Sequence, residues 1–203
     1  MSKNMSGRWG MAALTALVCA GSVALTAPAA PAAQPPASAA VTERFAAGQV
    51  EQAGNAALRA PGVSRAQVLA RAKTWLTANN GRPVPYSQVK RWKDGFRQDC
   101  SGYVSMTLRL PAPGPNTVGL KNNGFTRRIA MKDLAPGDLV LKANSNSADL
   151  RHVVIFAGWS NSRHTAYKSY EQAGGVGTRF KQHSYGVNGR DGYHAYRPVN
   201  ITG

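Results

Sequence analysis

In the run Arg97-Gln98-Asp99-Cys100-Ser101-Gly102-Tyr103-Val104, a helix begins at Asp99 or Cys100 and continues to about Leu110, where Pro111 halts it. Tyr103, Val104, Thr107 and Leu108 fall at helical spacing on its buried side. Cys100 then occupies the first turn, where unpaired backbone N–H groups and the helix dipole favour a thiolate over a thiol. A small buried hydrophobe is the commoner role of a cysteine. Asp99, Ser101 and Gly102 are polar or tiny, which is a poor frame for a core position. The pattern points to a nucleophile.

The amino-terminal residues explain why Cys100 stands alone. Lys3 and Arg8 precede an apolar stretch, Met11 to Leu25, that is short for a membrane span, and Ala-rich residues follow it. Residues 1–33 therefore read as a secretory signal, and the only other cysteine, Cys19, leaves with it. A lipoprotein signal would need a large aliphatic residue at Ala16 and a small one at Val18, so no stable membrane anchor is expected. Residues 34–62 are rich in Ala, Pro and Gln and read as a linker or loosely docked arm. Residues 63–203 remain for one compact domain. The exported chain carries 23 Lys and Arg against 9 Asp and Glu, a net charge of +14. Such a charge draws a protein toward polyanions. For an exported protein these are anionic cell-wall polymers or phospholipid surfaces, and no nucleic-acid-binding motif is present.

Ser64-Arg65-Ala66-Gln67 has the form of a capping box and starts a helix to about Leu76 that buries Val68, Leu69, Ala72 and Leu76. Pro83-Val84-Pro85-Tyr86 is extended or turn-like. The residues after Pro111 form a loop region rich in Gly, Pro and Asn. A Pro136-Gly137 turn feeds a short strand, Leu139 to Leu141. His152 to Trp159 is a mostly apolar run suited to a central strand, followed by strands over Thr165–Gln172, Thr178–Gln182 and Tyr193–Arg197. Helices first and an antiparallel meander afterwards give an α+β domain.

A cysteine nucleophile needs a base, and four histidines are available: His152, His164, His183 and His194. His152 opens the apolar strand, so its ring can face a cleft while the strand holds it rigid. If Asn161 and Ser162 form the tip of a hairpin, His152 lies opposite Glu171, whose carboxylate would hold the imidazole tautomer. A slip of one residue would offer Gln172 or Tyr170 and swap the faces. His164 lies near the hairpin tip as a surface residue, and His183 and His194 have no argued partner. The histidine spacing supports no metal site, and no cofactor is expected.

The ordered set Pro85-Tyr86, Asp99-Cys100-Ser101-Gly102, Leu134-Ala135-Pro136-Gly137-Asp138-Leu139-Val140 and His152-Val153-Val154-Ile155-Phe156 resembles an NlpC/P60 domain over about residues 64–200. That resemblance implies a papain-like fold, with N-terminal helices packed on a small antiparallel sheet. It also implies a secreted, cell-wall-associated monomer that acts as a cysteine peptidase on peptidoglycan stem peptides. Carried over by position, Cys100 would be the nucleophile and His152 the base. The third member, commonly His, Asn or Gln, falls at Glu171, with Gln172 as its rival. Tyr86 resembles the family tyrosine of the substrate pocket, and Asp99 and Ser101 are assigned to the oxyanion and substrate pocket beside it. The family's Gly-Gly after that tyrosine is replaced here by Ser87-Gln88. Two other readings stand beside this one. The domain could be another papain-like amide hydrolase, such as a muramoyl-alanine amidase, or a non-catalytic basic cell-wall-binding module.

Overall fold

A computed structural model describes residues 60–203. The expected signal over 1–33, Cys19 and the expected arm as far as residue 59 lie outside the described residues. The architecture is mixed helix and sheet. Strand β1 (Val63–Ser64) leads into helix α1 (Arg65–Thr74), followed by α2 (Cys100–Thr107) and α3 (Thr117–Asn122). Strands β2 (Thr126–Arg128), β3 (Leu139–Lys142), β4 (His152–Trp159), β5 (Tyr167–Ala173), β6 (Gly177–His183), β7 (His194–Pro198) and β8 (Ile201–Thr202) complete the chain.

Local chemistry accounts for the helix starts. Ser64 caps α1 as a full capping box, accepting from the Gln67 N–H while the Gln67 side chain accepts from the Ser64 N–H. Asp99 caps α2 and Asn116 caps α3, each through its side chain. Helix α2 stops at Thr107, short of the expected Leu110, because Arg109 takes a left-handed backbone with φ 57° and breaks the helical path before Pro111. Helix α3 and strand β2 replace part of the expected loop region.

The main sheet has the order β2-β7-β3-β4-β5-β6, with every neighbouring pair antiparallel. Strands β3 to β6 form the expected meander. Strand β7 departs from it and returns across the sheet to lie between β2 and β3. A separate parallel pairing of β1 with β8 brings the two ends of the domain together. Strand alternation divides the apolar residues between two faces. Leu139, Leu141, Val153, Ile155, Tyr170 and Tyr196 pack with the helices, including Val104 and Met106 of α2. Val140, Val154, Phe156, Tyr167 and Ala195 form a second cluster on the opposite face.

The Pro136-Gly137 turn is held by one buried carboxylate. Asp138 accepts from the Ala135 N–H and from Arg65 Nη1 at 3.0 Å and Arg197 Nη2 at 2.8 Å. Phe156 of β4 also bonds the turn at both ends, through Gly137 N–H and Asp138 C=O. Asp138 thus fastens α1, the turn and β7 to one another. Asp138→Ala should lower the unfolding free energy by about 2–3 kcal/mol in urea denaturation, because both arginines can partly recover water when their partner is removed. A loss below 0.5 kcal/mol, the range of an ordinary surface substitution, would contradict this role.

Candidate functional site

Cys100 is the first residue of α2, and the segment before it is fixed by a cap with several partners. Asp99 Oδ1 accepts from the Gly102 N–H at 2.6 Å and from the Ser101 hydroxyl at 3.0 Å, and Oδ2 accepts from Arg97 Nε at 2.8 Å. The same guanidinium donates to the carbonyls of Gly114 and Pro115. Gly102 is required by proximity, since a Cβ there would lie 2.1 Å from the Arg97 carbonyl oxygen. Asp99 and Ser101 are both buried, with their side chains turned into this cap. Cys100 is a free cysteine, 6% exposed, and its sulfur lies 3.7 Å from Thr117 Oγ1.

His152 opens β4 as expected, and its Nε2 lies 2.7 Å from Glu171 Oε2. The route to this contact differs from the expected hairpin. Pairing of Ile155 with Tyr170 and Phe156 with Ser169 shifts the register by two residues relative to a tip at Asn161-Ser162. A bulge between Phe156 and Gly158 then absorbs one further residue. Glu171 is therefore diagonal to His152 rather than opposite. A shift of two preserves side-chain faces, so the contact survives where a shift of one would have destroyed it.

Alternation sends Gln172 the other way. It is fully buried, and its Nε2 donates to the carbonyls of Val84, Pro85 and Gln98 while its Oε1 accepts from Thr178. Gln172 thereby ties the segment preceding Tyr86 and the segment preceding Cys100 to the sheet, away from the imidazole. Tyr86 lies beside an open groove of about 260 Å³ lined also by Pro85, Gly175, Val176 and Gly177. Its hydroxyl is pushed up to about 12 by burial and by the neighbouring Cys100 and Asp99 charges.

The sequence offered no partner for His183, and the structure supplies one. Its Nε2 lies 2.8 Å from Glu171 Oε1, which also accepts from Arg179 Nε at 2.6 Å. Glu171 is 1% exposed and meets two histidines and one arginine, of which His183 is buried and His152 and Arg179 reach partly into solvent. Burial alone would raise its pKa, but the hydrogen bonds from His152 and His183, the charge of His183 and the Arg179 bond together hold it well below the carboxylate range. Only the β5–β6 register, which places Arg179 opposite Glu171, could have revealed this cluster. His194, also without an expected partner, lies 3.0 Å from Arg128. His164 is exposed at the hairpin and stacks on Trp159. Among the described residues, no group of three or more His, Cys, Asp or Glu is arranged to hold a metal ion.

His152 is raised from 6.5 to about 9. Burial opposes the charged ring, but hydrogen bonding to Cys100 and Glu171 and the charges of both outweigh it. Nε2 is engaged by Glu171, which leaves Nδ1 as the second ring nitrogen. The arrangement can keep a proton on an imidazole beside a thiol at neutral pH.

No family model matches the sequence, and no curated protein matches it. Among solved structures, one described as similar to a lipoprotein of the NLP/P60 family, from Staphylococcus aureus subsp. aureus Mu50, aligns with a TM-score of 0.44 at 16% identity. The alignment covers 68% of this chain and 44% of that chain, so this chain spans less than half the length of that protein. Among the described residues, no helix is long and apolar enough to cross a membrane.

The raised value of His152 implies a stability contribution with a defined sign. Its folded-state pKa exceeds its unfolded one, so the contribution is complete below pH 6.5 and is lost as pH rises through about 9. The difference in unfolding free energy between the parent and His152→Gln should therefore shrink across that window in urea titrations run at successive pH values. A difference that stays flat from pH 6 to 10 would show that the ring is not held protonated by these neighbours.

Proposed function

We propose that this chain is a secreted, NlpC/P60-like cysteine peptidase that hydrolyses amide bonds in peptidoglycan stem peptides, with residues 63–203 as its catalytic domain. The observation that carries this reading is the anchoring of His152 to the buried Glu171 carboxylate in a fold whose free cysteine opens helix α2. A free cysteine opens a helix, and an imidazole anchored through Nε2 to a buried carboxylate carries a pKa raised in part by that sulfur. The motif order in the sequence supports the choice of family and substrate.

In the proposed mechanism, the Cys100 thiolate paired with protonated His152 attacks the amide carbonyl. The first N–H groups of a helix have no intrahelical partner, so the Cys100 N–H can donate to the oxyanion, with Tyr86 beside it. His152 delivers its proton to the leaving amine as the tetrahedral intermediate collapses to a thioester. A water molecule, deprotonated by His152, then attacks the thioester, releases the acid and regenerates the pair. Glu171 orients the imidazole throughout. Asp99, Ser101 and Gln172 act by holding the backbone around the nucleophile and the Tyr86 groove.

The strongly basic composition favours a second reading, a wall-binding module that keeps the fold without the chemistry. Digestion of purified peptidoglycan by the mature protein and by Cys100→Ala, with products read by mass spectrometry, separates the two. New stem-peptide fragments are expected from the parent alone, with activity falling above about pH 9 as His152 loses the proton the leaving amine requires. Release of intact stem peptides from glycan would reassign the enzyme as an amidase. Salt-sensitive wall binding by both proteins without fragments would leave the binding module.

A further inference from the structure

The mechanism uses one oxygen of Glu171, and the other has its own partners. Oε2 faces His152, while Oε1 accepts from Arg179 and His183 together. We propose that Arg179 and His183 are positioning residues that fix the orientation of Glu171 and offset its charge. The carboxylate can then align His152 without holding the ring's proton too firmly for release.

Register makes the arrangement rigid. Arg179 is the cross-strand partner of Glu171, and His183 lies two pleats further along the same face of β6. The His183 ring is 7% exposed and stacks on Tyr185 with centroids 4.4 Å apart, and Tyr185 stacks on Tyr193 at the same separation. Tyr185 also meets the His152 ring edge-on at 6.4 Å. Both ends of the proton-bearing unit are thus braced by one aromatic stack.

Electrostatics supplies the purpose. A buried carboxylate bonded to an imidazole alone would make the imidazolium a very weak acid, because charges interact strongly where water is excluded. A general acid works best when its pKa lies near the working pH. The Arg179 guanidinium gives Glu171 a permanent counter-ion on Oε1, which offsets the carboxylate charge felt by the imidazole on Oε2. The other titratable groups placed beside His152 are Lys142, its cross-strand partner on β3, and Tyr185, edge-on to its ring. Neither of them bonds Glu171, and both are left unchanged in the test below.

This inference deepens the peptidase reading and rests on it for the chemistry, but its principal readout needs no substrate. The His152 ring is titrated by NMR in Arg179→Gln, which keeps an N–H donor without the charge, and in Arg179→Lys, which keeps the charge. The Gln variant should raise the His152 midpoint by about one pH unit, and the Lys variant should stay at the parent value. With peptidoglycan fragments as substrate, Arg179→Gln should lower kcat severalfold with KM unchanged. His183→Leu should do likewise, whereas His183→Gln should retain parental kcat. An unmoved His152 midpoint in folded Arg179→Gln would overturn the proposal and leave Arg179 as a hairpin salt bridge. A shifted midpoint in a protein that cuts no peptidoglycan would retain the charge offset and reject the peptidase reading.

Discussion

The organisation around Cys100 depends on a single geometric constraint, the two-residue period of strand β5. Consecutive residues of a strand point to opposite faces, so Glu171 and Gln172 cannot share a task. Glu171 turns toward β4 and β6 and gathers His152, His183 and Arg179. Gln172 turns toward the helices and holds the carbonyls of Val84, Pro85 and Gln98. One fixes the imidazole, and the other fixes the two chain segments that deliver Tyr86 and Cys100. Both are buried, so each polar atom must find a partner inside the protein, and that requirement locks the strand in register.

The same constraint decides what could be read from the sequence. The cap at Ser64 was legible because it depends on residues within three positions. At Asp99 the helix start was legible but its capping side chain was not. Strand β4 was legible because its apolar run ends in turn residues on both sides. The His152–Glu171 contact was legible in outcome, although the predicted pairing was off by two, since an even error leaves both residues on the same face. Helix α3 and strand β2 were not legible. Their segment is rich in Gly, Pro and Asn, and β2 exists through pairing with β7, a strand some seventy residues away. The return of β7 between β2 and β3 and the partner of His183 failed for one reason: both are long-range pairings with no local signature.

Charge is divided by depth in a way that composition alone does not convey. Five of the seven acidic residues described accept hydrogen bonds from within the fold: Asp99, Asp138 and Glu171 are buried, Asp191 is half-buried and Asp94 is exposed. They serve as caps, turn anchors and the orienting group for His152. Asp133 and Asp149 are the two without such a task. Lys73, Lys90, Arg91, Lys93, Arg127, Arg128 and Lys132 are among the cations left exposed.

Two kinds of electrostatics therefore coexist and answer differently to ionic strength. The exterior presents positive charge with few local acids to cancel it, and its attraction for any polyanion decays over a Debye length of about 8 Å at physiological salt. The pairs at Glu171 lie within hydrogen-bond distance around a carboxylate that is itself buried, so mobile ions screen them less. Salt can then weaken the approach of an anionic surface while leaving the protonation of His152 nearly untouched. Separation of this kind follows from the burial of Asp99, Asp138 and Glu171: each acid moved inward is also an acid removed from the surface, so the two properties arise from the same residues.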